Sequence, residues 1–299
     1  MSFDYGNILT RAFQITWRHK SFWLFSIIPM LFSFAGIFFF IAPVFLLGDE
    51  SDLVWVALVV WLTGLALTFV ASFLIGTVGS SALMLGILRV ERGEGSTSFM
   101  DLLRDGLLYF RQVLGVMLIV QLSIGLVMTL FFCFYMAASV VTMGLASICF
   151  QPIFILMTPL SFLMVAVIDA ALMAVISEDM GPWDAVKRGI QVVRDHVWKF
   201  VILTLIVYFG TSILMGILIT PATIPVMAFP LLMESGMDIS WEMFLLIAGL
   251  FSCIFFPLMA LLSGVTGTFM NSTLGISYLR LARPAESEVV FASDTEGAG

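Results

Sequence analysis

Charged residues are scarce in this sequence. Only 11% of its 299 residues are Asp, Glu, Lys or Arg, whereas water-soluble domains usually carry about 25%. Hydrophobic residues make up 61% of the chain. Five long segments contain no charged residue: 22–47, 53–88, 113–168, 200–233 and 244–270. The shortage of charge excludes a water-soluble domain and predicts an all-α integral membrane protein, because each segment is long enough for an apolar helix to cross a bilayer.

Recognisable catalytic and binding motifs are also missing. The sequence has no Walker loop, no G-x-G-x-x-G, no H-E-x-x-H and no nucleophile elbow. Its three cysteines, Cys133, Cys149 and Cys253, lie in apolar segments without paired spacing, which predicts neither disulfides nor a zinc site. We therefore expect no enzymatic activity, no cofactor and no metal ion. A nucleic-acid partner is not expected either, because the basic residues form no stripe.

Basic residues are absent from one side of the predicted topology. A helix needs about 20 apolar residues to cross roughly 30 Å of hydrocarbon, so the segments provide six spans if 113–168 makes two, with a turn near Gly144. All 13 Lys and Arg residues then fall on the same side. Positively charged flanks resist translocation, which predicts cytoplasmic termini and a multi-pass protein of the bacterial plasma (inner) membrane. The first apolar segment is too long for a cleaved signal peptide, so we expect it to remain as a span.

A short basic pattern recurs before the first, third and fifth spans. RAFQITWR, RDGLLYFR and KRGIQVVR each place a basic residue seven positions before an arginine, at offsets of 93 and 83 residues, which indicates a threefold internal repeat. The predicted units are 1–95, 96–180 and 181–283, each an amphipathic helix followed by a helical hairpin. Residues 284–299 are predicted to form a disordered cytoplasmic tail. The three hairpins are expected to surround a pseudo-threefold centre.

The amphipathic stretches allow two placements. Apolar residues recur at helical spacing around each basic pair, so one face of each helix is apolar and the other is charged. Such a helix lies in the headgroup region with its apolar face down, or it is simply the end of a long span, and the sequence leaves both interpretations open. The candidate headgroup contacts are Arg11, Arg18, Arg104, Arg111, Lys187 and Arg194.

The even-numbered spans share a second motif. SSALM, DAALM and NSTLG begin with Ser80, Asp169 and Asn271, which form a candidate intramembrane polar site. Small residues at four-residue spacing accompany all three motifs and predict that these spans pack together. Asp169 is the only acidic residue inside a span. Two roles remain open for it: a structural group hydrogen-bonded by Ser80 and Asn271, or a functional site.

The opening ILTRAFQITWRHKSFWLF, together with the helix-plus-hairpin plan, resembles a bacterial family of six-span membrane proteins. That family is named as the membrane domain of glycerophosphoryl diester phosphodiesterase, and related families have no known function. The resemblance covers nearly the whole chain and implies the fold and the location. Where the name applies, a separate soluble barrel carries the phosphodiester chemistry, and these 299 residues include no such domain. The resemblance therefore implies no catalytic residue here.

Two functions of different classes agree with these features. The first is a non-enzymatic scaffold or accessory protein whose cytoplasmic helices contact membrane lipids or unidentified protein partners. The alternative is a carrier for a lipid or small amphiphile that uses Ser80, Asp169 and Asn271 as a binding or proton-coupling layer. An intramembrane enzyme is a weaker third hypothesis, because a lone aspartate supports it poorly.

Overall fold

The computed structural model describes residues 4–46, 54–94, 98–234 and 241–282. These ranges contain eight α-helices and no strand. In chain order the helices are α1 (Tyr5–Arg18), α2 (Ser21–Leu46), α3 (Val54–Glu91), α4 (Phe99–Val141), α5 (Leu145–Glu178), α6 (Pro182–Asp195), α7 (Val197–Glu234) and α8 (Trp241–Ala282). The predicted tail at 284–299 lies outside the described residues.

Four stretches of these helices are long and apolar enough to cross a membrane. Within the described ranges they are Leu58–Glu91, Phe99–Val141, Leu160–Glu178 and Val197–Thr220. The fold is therefore that of an all-helical membrane protein. The turn predicted near Gly144 is confirmed: α4 ends at Val141, α5 begins at Leu145, and Gly144 takes a φ of 91° that favours glycine.

The three amphipathic stretches differ in whether they are continuous with the span that follows. α1 is a separate helix that ends at Arg18, and His19 and Lys20 separate it from α2. The indole Nε1 of Trp23 donates to the carbonyl of Thr16 across this junction at 2.8 Å. α6 is also separate, with Pro182 in its first turn and a break at His196. The middle stretch, residues 99–111, is instead the first part of α4, an unbroken helix of 43 residues.

The C-terminal halves of α3, α5 and α8 pack against one another, as their small-residue spacing predicts. The three helices meet at the fifth residue of each shared motif. A Cβ added to Gly275 would lie 2.7 Å from Cε of Met173 and 3.6 Å from Sδ of Met84. This contact fixes the register of the three helices and places the same motif position of each at a common centre.

The three amphipathic segments pack on the same three helices. α4 packs on α3, α6 on α5, and α1 on α8, so the first helix closes on the last. Glycine allows the close approach: a Cβ on Gly106 would lie 2.8 Å from Cα of Ala82, and one on Gly189 would lie 2.9 Å from the amide nitrogen of Ala171. In α1 the corresponding small residue is Ala12, which is fully buried.

These buried small residues define a register that differs from that of the basic pairs. With Ala12, Gly106 and Gly189 aligned, the preceding residues Arg11, Asp105 and Arg188 become equivalent. The basic pattern instead aligns Arg11 with Arg104 and Lys187, so at α1 the two alignments differ by one residue. The buried face sets the helix packing, whereas the cations lie on the outside, which explains the difference.

Candidate functional site

The charges gather in what we call the collar, which comprises α1, residues 99–111 of α4, and α6. Two of its ion pairs involve the end of α3. Nε of Arg11 lies 2.9 Å from Oε1 of Glu91, whose side chain is only 10% exposed. The guanidinium of Arg89 donates to the carboxylate of Asp105 on α4. These pairs attach both α1 and α4 to α3.

The end of α5 holds the corresponding carboxylate. Oε2 of Glu178 lies 3.7 Å from Nε of Arg188 on α6, and Oε1 accepts a 2.8 Å hydrogen bond from the hydroxyl of Tyr278 on α8. In the pair of Arg89 and Asp105 the cation lies on the long helix α3 and the carboxylate on the collar. In the pair of Glu178 and Arg188 the carboxylate lies on the long helix α5 and the cation on the collar. The exchange preserves an attractive contact at the ends of both α3 and α5.

The closure of α1 on α8 has a polar contact of its own. Nη2 of Arg280 donates to the side-chain oxygen of Asn7 at 2.9 Å. Asn7 itself lies in the first turn of α1, where its backbone N–H donates to the capping carboxylate of Asp4 at 3.1 Å. Residues 273 positions apart are thus in contact at this end of the molecule.

The six candidate headgroup contacts divide into two groups. Arg11 is half-buried in its pair with Glu91, whereas the other five are exposed: Arg18, Arg104, Arg111, Lys187 and Arg194. Lys187 lies 3.9 Å from Asp184 and 5.4 Å from the ring centroid of Trp183. In the described part of the chain, the other four exposed arginines form no ion pair with a carboxylate. The outer surface of the collar therefore presents accessible positive charge.

Large apolar side chains accompany these cations. Phe13 and Trp17 on α1 are more than half exposed and stack on each other at 5.6 Å. Trp183 on α6 is 59% exposed. His19, at the end of α1, stacks on Phe22, and burial lowers its pKa, which Arg18 and Arg11 lower further. An outer face that combines aromatic rings with arginines is typical of the membrane–water interface.

The three residues of the predicted intramembrane polar site lie at a common level, but in the part of the chain that the structure describes they are not hydrogen-bonded to one another. The three helices meet at the fifth residue of each motif. The first residue of each motif, which is Ser80, Asp169 or Asn271, lies four residues, or about 6 Å of helix, before that point. The hydroxyl of Ser80 donates to the carbonyl of Gly76, and the amide of Asn271 donates to the carbonyl of Gly267. Within the described ranges, no hydrogen bond joins either of them to Asp169.

Asp169 is 6% exposed, and further polar groups without partners lie on the neighbouring helices. The buried hydroxyls of Thr204 on α7 and of Thr268 and Ser272 on α8 have no hydrogen-bond partner among the described residues. Thr268 and Ser272 belong to the small residues at four-residue spacing, which predict only close packing, and no sequence pattern points to Thr204. Their polar role had no local signal, because it depends on which helices become neighbours.

Two grooves lie beside the collar, and the sequence predicted neither. The large groove, of about 480 Å³, lies between α4, α5, α6 and α7. Its lining is apolar except for Ser123, Arg194 and the indole nitrogen of Trp183. The small groove, of about 390 Å³, lies between α2, α3 and α4 and has an entirely apolar lining, with Phe25 stacked on Phe99 at 4.7 Å. Each groove is bounded by a helical hairpin and by the collar segment that follows it in the chain.

No family model, curated protein or solved structure matches this chain. Among the residues that the structure describes, no group of three His, Cys, Asp or Glu side chains is placed to hold a metal ion. Over residues 4–46, 54–94, 98–234 and 241–282, the features available for a function are the exposed cations of the collar, the buried carboxyl group of Asp169, and the two grooves.

Proposed function

We propose that this chain is a non-enzymatic scaffold or accessory protein of the bacterial inner membrane, with its collar bound to anionic lipid headgroups. The six spans are α2, α3, α4, α5, α7 and α8, arranged as three repeats around a pseudo-threefold axis. Both termini and the collar are cytoplasmic. Membrane lipids are the partners of the collar, and the resemblance to the six-span family supports this fold and location without adding a catalytic residue.

The exposed cations of the collar carry this proposal. The apolar faces of the collar are buried against the spans, through residues such as Ile8 and Val192, so the segments are held rigidly. Arg18, Arg104, Arg111 and Arg194 are left accessible without a carboxylate partner in the described chain. A basic residue near an anionic leaflet contributes about 1 kcal/mol of attraction. Several on one rigid surface give a strong preference for anionic lipid.

The packing of the collar supports the three-repeat arrangement. Each collar segment packs on the even-numbered span of the preceding unit, and α1 completes the cycle on α8. Equivalent small residues make the contact in each case, and the fifth residues of the three shared motifs meet at the centre. Such a cycle is expected for three related units arranged around an axis, because each unit then makes the same contact with its neighbour.

Neutralising the exposed cations is expected to abolish the lipid preference. A variant with glutamine at Arg18, Arg104, Arg111, Lys187 and Arg194 loses up to about 5 kcal/mol of summed attraction. We expect the ratio of phosphatidylglycerol to phosphatidylethanolamine retained after mild detergent extraction to fall at least tenfold, as measured by mass spectrometry. In the matched control, lysine replaces the four arginines and keeps the ratio within about twofold. An unchanged ratio in the glutamine variant contradicts the proposal.

A carrier for a lipid or small amphiphile is the second candidate, and the buried carboxyl group of Asp169 favours it. A carboxyl group inside a span without hydrogen bonds from Ser80 or Asn271 is costly, so a structural role as their bonded partner is not its explanation. A group that takes up and releases a proton during transport would retain an aspartate at this position. The polar layer of Ser80, Asp169 and Asn271 is then the coupling site.

Replacing Asp169 with asparagine separates the two candidates. Asparagine has nearly the same shape as aspartic acid but cannot release a proton. If the protein is a proton-coupled carrier, we expect its rate of transport under a pH gradient to fall at least tenfold. The assay follows a fluorescent short-chain phosphatidylglycerol across vesicles that contain the purified protein. Equal rates for D169N and the wild type eliminate proton coupling through Asp169. A lower yield of folded D169N with no transport by either protein supports the scaffold.

A further inference from the structure

We propose that the large groove binds one acyl chain of an anionic glycerophospholipid, with the phosphate of that lipid on Arg194. This inference deepens the proposed function and rests on its claim that the collar lies at the cytoplasmic headgroup level. It assigns one particular lipid to one particular place, whereas the collar as a whole attracts anionic headgroups without selecting among positions.

The walls of the large groove run along the direction of an acyl chain. On α4 the wall extends from Ile119 to Ile124, which is about 12 to 20 Å of helix beyond Arg111. On α5 it extends from Leu160 to Val167, about 16 to 27 Å before Glu178. These depths lie inside a hydrocarbon layer of about 30 Å, where an apolar groove is filled by a chain.

The third wall is one face of α6. Trp183, Val186, Ile190 and Val193 line the groove at steps of three and four residues, so a single stripe of α6 covers its side, and Val197 adds to it from the start of α7. Trp183 and Ile190 remain about half exposed, so the groove is open to its surroundings along this stripe. The surroundings of a membrane-embedded groove are lipid, which can enter sideways.

Arg194 determines the sign of the headgroup. It is exposed in the last turn of α6, it lines the groove, and among the described residues no carboxylate pairs with it. The guanidinium matches a phosphate with two parallel hydrogen bonds. The neighbouring carboxylates Asp184 and Asp195 are exposed on α6, and Asp184 is paired with Lys187. A lipid headgroup whose phosphate is not balanced by a cation in the same headgroup therefore carries the negative charge that complements Arg194.

The small groove provides an internal comparison. It occupies the equivalent place between a hairpin and the following collar segment, but no cation lines it. The stacked rings of Phe25 and Phe99 occupy part of the space beside it. A chain that enters there has no charged contact for its headgroup. We therefore expect selectivity for anionic lipid at the large groove alone.

The test uses the full-length protein in lipid nanodiscs with two photoactivatable probes. One is phosphatidylglycerol and the other phosphatidylcholine, each with a diazirine in the middle of one acyl chain. Mass spectrometry of the digested protein locates the cross-links. At residues 119–124 and 160–167 we expect phosphatidylglycerol to label about fivefold more than phosphatidylcholine, as expected for one basic contact. At the residues of the small groove the two probes should label equally.

Variants connect the labelling to the two parts of the site. Arg194→Gln is expected to reduce the phosphatidylglycerol signal to that of phosphatidylcholine, whereas Arg92→Gln, at an exposed arginine outside both the collar and the groove, leaves it unchanged. Val167→Trp fills the groove and lowers the signal of both probes. Leu126→Trp, on an exposed part of α4, does not.

Equal labelling by the two probes in the wild type overturns the inference, as does a signal that Val167→Trp leaves intact. Absence of labelling by both probes at residues 119–124 and 160–167 would show that no lipid chain occupies the groove and would also overturn it. These failures are distinct from failure of the proposed function. If R194Q changes nothing while the five-cation variant loses its phosphatidylglycerol, the collar binds anionic lipid but the groove does not.

Discussion

Replacing Gly189 with leucine is expected to destroy the packing of α6 on α5. Even a Cβ at this position would lie 2.9 Å from the amide nitrogen of Ala171 and 3.0 Å from the carbonyl oxygen of Val167. Both are backbone atoms, so no side-chain rotation relieves the clash, and α6 must move away. The move exposes Ala185 and Val192, which are now buried. We expect a loss of about 3 kcal/mol or more, as in other overpacked cores.

Matched variants keep this prediction specific. A Cβ on Gly210 in α7 meets nothing within 4 Å. Gly210→Leu is therefore expected to leave the free energy of unfolding within about 0.5 kcal/mol of the wild-type value. Gly106→Leu should resemble Gly189→Leu, because its Cβ would lie 2.8 Å from Cα of Ala82. The measurement is unfolding in mixed detergent micelles with increasing SDS. Equal stabilities of the Gly189 and Gly210 variants would contradict the close approach of α6 to α5.

Replacing Arg188 with methionine is expected to have the second largest effect. It leaves the carboxylate of Glu178, whose side chain is 8% exposed, without its cation. Loss of one partner from a buried pair costs about 3 to 5 kcal/mol, and because Arg188 is about one-third exposed we expect about 2 kcal/mol. The hydrogen bond from Tyr278 remains but cannot neutralise the charge. The same SDS titration measures the loss.

A double-mutant cycle identifies the cause. Glu178→Gln removes the charge that Arg188 balances, so the pair of substitutions should cost about 1 kcal/mol less than the sum of the single effects. Lys187→Met serves as the control, because its pair with Asp184 is exposed on both sides and contributes at most about 0.5 kcal/mol. Additive single effects at Glu178 and Arg188 would show that the two side chains do not interact.

Much of the architecture follows from local patterns that can be read in the sequence. The uncharged segments predict apolar helices, since a chain in lipid must satisfy its backbone groups internally. Four such stretches are found in the described residues, and the turn at Gly144 is confirmed. The packing of α3, α5 and α8 is also predictable, because small residues at four-residue spacing permit close contact.

The alignment of the collar could not be read from its charges. Arginines on an exposed surface tolerate a shift of one position, whereas a small residue facing a neighbouring backbone does not. Ala12, Gly106 and Gly189 therefore record the packing register better than the basic pairs do. The sequence also assigned the same headgroup role to Arg11 as to the other cations, but Arg11 is paired with Glu91, 80 residues away.

The candidate site was predictable only in part, because its geometry is tertiary. The motifs place Ser80, Asp169 and Asn271 at one level, but the hydrogen bonds of Ser80 and Asn271 go to carbonyls of their own helices. This arrangement competes with bonds across the centre and has no signature in the motif. The grooves have even less local signal, because each is formed by helices that are distant in sequence.

The closure of α1 on α8 is tested most directly by cross-linking the two ends of the described chain. Cysteines replace Asn7 and Arg280, whose side chains are in contact at 2.9 Å, in a chain where Cys149 and Cys253 are changed to alanine. Cys133 is kept as the control, because it lies 22 residues, about 33 Å of helix, beyond Arg111 on α4. In membranes, a short bis-maleimide should join the two introduced cysteines to each other in most molecules, without joining either of them to Cys133. If the cysteine on α1 reacts with Cys133, or stays unlinked to the cysteine on α8 while both are modified, the three units do not form a closed cycle.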